Sequence, residues 1–66
     1  MVINQIGETA GRIWHTLDEE GPLRVATLKK QFDVPEAIVY MALGWLARED
    51  KLEIEPDGRS YRVQLK

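Results

Sequence analysis

The sequence predicts an α+β fold of three helices closed by a C-terminal two-stranded ribbon, with a short third strand near the middle of the chain. Three observations predict it: apolar residues recur at helical spacing in three segments, they alternate with polar ones toward the C-terminus, and glycine and proline mark the boundaries. The 66 residues suffice for one domain, taken as 1–66. A chain of this size hides only about 60% of the surface that its unfolded form exposes, so its core is thin.

The first helix is expected over Asn4 to Glu20, where Ile6, Ala10, Ile13, Trp14 and Leu17 project onto one face. Asn4 suits the N-cap, Gly21 suits the C-terminal stop, and Pro22 prevents continuation. Leu23-Arg24-Val25 is long enough only for a strand fragment. A helix of about two turns follows from Ala26 to Phe32, ended by Asp33-Val34-Pro35, because the residue before a proline is driven out of the helical region. The third helix is expected from Pro35 to Glu49, with Glu36 at the positive end of its dipole and Arg48 at the negative end.

The tail reads as a hairpin, since Leu52 and Ile54 alternate with Glu53 and Glu55, and Tyr61, Val63 and Leu65 alternate with Arg62 and Gln64. A turn at Asp57-Gly58 would place Ile54 opposite Tyr61, Leu52 opposite Val63 and Glu53 opposite Arg62. In so short a chain this order of elements is the winged helix-turn-helix: helices two and three form the helix-turn-helix, and the ribbon is the wing.

Composition excludes several classes of function. Hydrophobic residues make up 44% and charged residues 30%, a globular balance, and no apolar run approaches the roughly 20 residues of a membrane span. The first residues carry no basic stretch followed by an apolar one, so a cytoplasmic location is expected. With no cysteine there is no disulfide or thiolate metal site, and the single His15 lacks companions for a metal centre. Asp18, Glu19 and Glu20 read as solvated carboxylates, Ser60 has no nucleophile motif, and no glycine-rich phosphate loop is present. No catalytic residue, cofactor, metal or small-molecule ligand is expected, and the protein is read as a non-enzyme.

At Ile6-Gly7-Glu8-Thr9-Ala10-Gly11, with Ile13-Trp14 after it, and at Ala42-Leu43-Gly44-Trp45-Leu46-Ala47-Arg48-Glu49, the chain resembles the small stand-alone bacterial winged helix-turn-helix proteins of unknown function. The resemblance covers nearly the whole chain and implies the fold. It carries over no functional residue.

In DNA-binding relatives of this architecture the second helix of the motif reads bases with Arg, Lys, Asn or Gln. Pro35 to Glu49 contains no Lys, Asn, Gln, Ser or Thr, and its one basic residue, Arg48, lies at the far end. Projection assigns Ile38, Val39, Met41, Ala42, Trp45 and Leu46 to the core. It leaves Glu36, Tyr40, Gly44 and Ala47 outside, with Leu43 at the edge. Trp14 and Trp45 are therefore expected to be core anchors.

The face made by Tyr40, Leu43, Gly44 and Ala47 is the candidate protein interface, most simply an isologous one in a homodimer, with another protein as the remaining choice of partner. Arg24, Lys29, Lys30 and Arg59 are the candidate nucleic-acid contacts. Nucleic acid is the alternative partner, disfavoured by a net charge of −2 and by the acids interleaved in the wing. Gly7 and Gly11, one turn apart in a helix, are expected to admit close packing of the third helix or of an indole within the monomer. A seam for a partner helix is the other reading.

Overall fold

The structure, a computed structural model, describes residues 2–66. Helix α1 spans Val2–Glu20, strand β1 Leu23–Arg24, helix α2 Val25–Gln31, helix α3 Glu36–Arg48, strand β2 Leu52–Asp57 and strand β3 Ser60–Leu65. The three strands form one antiparallel sheet in the order β1-β3-β2. This is the predicted α+β winged helix-turn-helix, including the short third strand.

Helix α1 begins earlier than expected, so Asn4 lies inside it and does not cap it. Its far end matches the expectation: Gly21 has φ +83°, and its N–H donates to the Leu17 carbonyl at 2.9 Å. This left-handed stop turns the chain into β1. Pro35 is the residue before α3, and its carbonyl accepts from the N–H groups of Ile38 and Val39. At the other end the Asp50 N–H donates to the Ala47 carbonyl and the Lys51 N–H to the Leu46 carbonyl, both at 3.0 Å. That pair of bonds is a Schellman motif, and it holds Asp50 at φ +60°. The Asp50 carboxylate accepts from the Lys66 ammonium, which keeps the lysine charged above its ordinary range.

The wing differs from its expected register. Ile54 pairs with Val63, Leu52 with Leu65 and Glu55 with Arg62, and the loop is Gly58-Arg59 instead of Asp57-Gly58. A slip of two residues leaves every side chain on its own face, so matching polarity across the ribbon does not distinguish the two pairings. Glycine at the first loop position decides it. Gly58 has φ +67° and Arg59 has no positive φ, the pattern of a type II′ hairpin turn. The alternating ladder also turns the ring nitrogen of Pro56 away from β3, and β2 is an edge strand, so this proline removes no ladder bond.

One core joins all these elements. Ala10, Ile13 and Leu17 of α1 meet Val25, Leu28 and Phe32 from α2 and its C-cap, Val39, Ala42, Leu43 and Leu46 of α3, and Leu52 and Val63 of the sheet. Ile13, Leu28, Val39 and Val63 are fully shielded from solvent. Val63 lies between Leu23 and Ile54 in the middle strand, which places the sheet under the helices. Ile6, Trp14, Leu23, Val34 and Leu65 pack around the margin.

Asp50 provides a stability test. Asp50→Gly and Asp50→Ala both remove the carboxylate, so their difference isolates the left-handed backbone, which costs a non-glycine residue about 1–2 kcal/mol. Asp50→Gly is expected to melt above Asp50→Ala by several degrees in thermal unfolding followed by circular dichroism.

Candidate functional site

Helix α3 divides cleanly into two halves. At 100° per residue its buried side chains, Ile38, Val39, Ala42, Leu43 and Leu46, fill one continuous arc. The other half is exposed and carries Glu36, Ala37, Tyr40, Met41, Gly44, Trp45, Ala47 and Arg48.

The helix is therefore rotated by about 50° from its expected orientation, counted in steps of 100° per residue. Met41 and Trp45, expected in the core, are 49% and 40% exposed, while Leu43, expected at the edge of the outer face, is only 3% exposed. The reason is in the helix itself. Residues 37–47 contain no charged side chain, so no polar boundary on the helical wheel marks where the apolar arc stops. Packing settled it: α1 lies against one flank of α3, and the base of the sheet lies against the other. Trp14 is half-buried against the core, so of the two expected anchors Trp14 sits at the margin and Trp45 outside.

Two grooves flank the exposed half. On the wing side Tyr40, Leu43 and Gly44 face Val25, Ile54 and Tyr61 across a groove of about 230 Å³. Leu43 forms part of its lining, and Ile54 and Tyr61 are 41% and 50% exposed. Ala47 follows Tyr40, Leu43 and Gly44 on the same side of the helix without lining the groove. The four expected interface residues thus share one side of α3: Tyr40, Gly44 and Ala47 are exposed and Leu43 lies beneath them. On the opposite flank a groove of about 330 Å³ runs between α1 and α3, lined among others by Gly7, Gly11, Trp14, His15 and Trp45.

Sequence reasoning missed the exposure of Met41 and Trp45 toward the α1 side of α3 and that of Ile54 and Tyr61 on the wing. Alternation groups Ile54 and Tyr61 on the apolar face of the wing, the face of Leu52 and Val63, but here that face is separated from α3 by the wing-side groove, which leaves both side chains exposed.

The expectation for the two helix-one glycines is also corrected. A Cβ built on Gly7 or Gly11 meets nothing within 4 Å, so neither a close approach of α3 nor an adjacent indole requires glycine there. Each costs the helix about 1 kcal/mol relative to alanine, and packing inside the monomer does not offset it.

Electrostatics ties part of the basic side of the domain to its own acids. The Lys29 ammonium donates to the Glu36 carboxylate at 3.0 Å and to the Tyr40 hydroxyl at 3.4 Å, and it lies 5.6 Å from the centre of the Tyr40 ring. The hydrogen bond to Glu36, reinforced by that to Tyr40, raises the Lys29 pKa, and the same bond lowers that of Glu36. The Lys29 ammonium, itself paired with Glu36, thus contacts both the hydroxyl and the ring of Tyr40 at the start of the outer face. Arg24 pairs with Asp57 at 3.0 Å. It stands opposite Arg62 in the sheet, and the acid offsets that repulsion. Of the four candidate nucleic-acid contacts, Arg24 and Lys29 thus have carboxylate partners, whereas Lys30 and Arg59 are exposed and form no ion pair among the described residues.

His15 is exposed on α1, its ring edge-on to Trp14. Among the described residues no three His, Asp or Glu side chains gather as a metal site, and no helix is long and apolar enough to cross a membrane.

Helices α2 and α3 with the connecting turn, followed by the wing, define a winged helix-turn-helix protein. The family described as Winged helix-turn-helix domain (DUF2582) matches residues 1–65, and the chain belongs to that family. It is also similar to Uncharacterized protein MJ1608 of Methanocaldococcus jannaschii, with 39% identity over 64 residues, covering 94% of this chain and 91% of that protein.

The rotation of α3 is testable by stability. Val39 is fully buried and Trp45 is 40% exposed. Trp45→Ala should fall well short of the about 3–5 kcal/mol typical of a buried aromatic. Denaturant unfolding of Trp45→Ala measures the loss, and a loss at or above the full range for a buried aromatic would place Trp45 in the core.

Proposed function

We propose that this protein is a non-enzymatic, regulator-like winged-helix binding module that acts mainly through protein–protein contacts and associates with itself. One observation carries the reading. The half of α3 that faces solvent, where a DNA-binding protein of this architecture carries its base readers, presents Ala37, Tyr40, Met41, Gly44, Trp45 and Ala47 between Glu36 and Arg48 at its two ends. The apolar surface continues onto the wing through Ile54 and Tyr61. Exposed aromatic and Met side chains grouped around small residues match the composition of protein interfaces, in which Tyr, Trp and Met are enriched. Their grouping on one side of so small a domain is what gives the exposure meaning, since scattered apolar residues are ordinary.

The partner surface on the wing side is Tyr40, Leu43, Gly44 and Ala47. Lys29 and Glu36 hold the Tyr40 ring in place before any partner arrives, which lowers the ordering cost of binding. Size favours self-association, because a thin core without cysteine for disulfides gains stability from a second subunit.

The alternative is a regulator that contacts DNA chiefly through phosphates. The fold supports it, as do Lys30 and Arg59, whose charges are not matched by an ion pair among the described residues. The acid partners of Arg24 and Lys29 and the net charge of −2 oppose it.

A titration with random duplex DNA over a range of salt concentrations separates the two. The protein-contact reading expects weak binding with a shallow slope of log affinity against log salt, corresponding to about two or three phosphates. A tight sequence-specific complex at physiological salt, weakened by Tyr40→Ala or Glu36→Ala, would overturn it in favour of DNA recognition.

A further inference from the structure

The groove between α1 and α3 lies on the flank of α3 away from the wing. It is walled by the Trp14 and Trp45 indoles and encloses about 330 Å³. From this groove we infer where the second copy of the chain docks: α1 of the partner lies antiparallel to α1 across a two-fold axis beside Gly7 and Gly11, with its first turn reaching the indoles. The inference rests on the self-association proposed above and moves the contact between copies away from the outer face of α3, leaving that face free for another protein.

Three independent features of the chain complement one another in this arrangement. The first is space. A backbone arriving at Gly7 and Gly11 finds no Cβ in its way, whereas among the described residues no neighbour beyond the local helix backbone lies within 4 Å of where a Cβ would stand at either glycine. The second is apolar matching. A two-fold axis midway between these glycines sets Gly7 against the partner's Gly11 and Ile3 against the partner's His15, beside the partner's Trp14. Ile3 is 55% exposed in the monomer, so an otherwise uncovered apolar side chain of the first turn meets the indole side of a groove that also carries Glu49 and Lys51.

The third is charge. The first turn of α1 contains no acid and its last turn contains no base. The last turn instead carries Asp18, Glu19 and Glu20, exposed, without ion pairs among the described residues, and at the negative end of their own helix dipole. The antiparallel arrangement brings this acidic turn to within about one helical turn of the partner's positive N-terminal end, at 1.5 Å rise per residue. Groove, apolar turn and acidic turn all lie on one chain, and a two-fold axis uses each of them twice. A foreign helix would meet the groove alone.

Sedimentation equilibrium up to millimolar concentration, on the wild type and two variants, tests the inference. The wild type is expected to be a dimer. Gly11→Gln introduces a good helix former into open space, so it should raise the melting temperature of the monomer by about 4–8 °C. The same side chain blocks the seam, so dimer affinity should fall by roughly tenfold or more. Ala47→Glu alters the outer face of α3 and should leave the dimer intact.

A Gly11→Gln protein that dimerises as tightly as the wild type would overturn the proposed seam. Loss of the dimer in Ala47→Glu alone would also overturn it and place the two-fold contact on the outer face of α3, with the protein-contact reading preserved. A wild type that stays monomeric at millimolar concentration would overturn both the seam and self-association, while contacts of α3 with a foreign protein are judged separately by the DNA titration.

Discussion

Val39 and Ala42 of α3 are completely shielded from solvent, and the packing that shields them organises the rest of the domain. On one flank lies α1, contributing Ala10, Ile13 and Leu17, and on the other lies the base of the sheet, contributing Leu52 and Val63. A helix packed from two sides along half its circumference has one orientation about its axis. Once Leu43 faces the core beside Val25, Trp45 and Met41 are turned to solvent. The outer face, the wing-side groove and the groove against α1 are all consequences of that single rotation. In a chain of 66 residues no further layer is available to cover what it leaves exposed.

Much of this was legible in the sequence, and the parts that were not share a cause. The element order, the boundaries of α3, the Gly21 stop and the strand identities follow from strong local signals, in which glycine, proline or a polar residue marks the limit of each pattern. Symmetry of a pattern hides the rest. The helical wheel of α3 lacks a charged boundary between residues 37 and 47, so several rotations bury similar apolar area. The ribbon alternates with period two, so a slip of two residues preserves every face. In the helix long-range packing chose among local equivalents, through Leu43, whereas in the ribbon the choice fell to the turn, through Gly58 at the first loop position. At the candidate interface the same cause allowed Tyr40, Gly44 and Ala47 to be read as exposed while Leu43 was misplaced by one step around the helix.

Charge reinforces the consequence of the rotation. Two of the cations that a winged helix would offer to phosphate are held by carboxylates of the same chain, and one of those pairs steadies the Tyr40 ring. Exposed ion pairs of this kind add little to stability. Their effect on recognition is larger, because a cation already matched by an acid attracts a phosphate less, and an aromatic already held in place is ready for an apolar partner. The family assignment fits this reading by fixing the architecture, while the choice of partner rests on the surface of α3 itself.

The central claim is the orientation of α3, and solvent accessibility measured residue by residue tests it most directly. With a soluble paramagnetic cosolute, at protein concentrations low enough to keep the chain monomeric, NMR signals broaden according to their exposure. The account predicts strong broadening of the Met41 methyl and the Trp45 indole, with the Val39, Leu43 and Val63 methyls protected. A protected Trp45 beside a broadened Leu43 would contradict it, and with it the surface on which the functional reading stands.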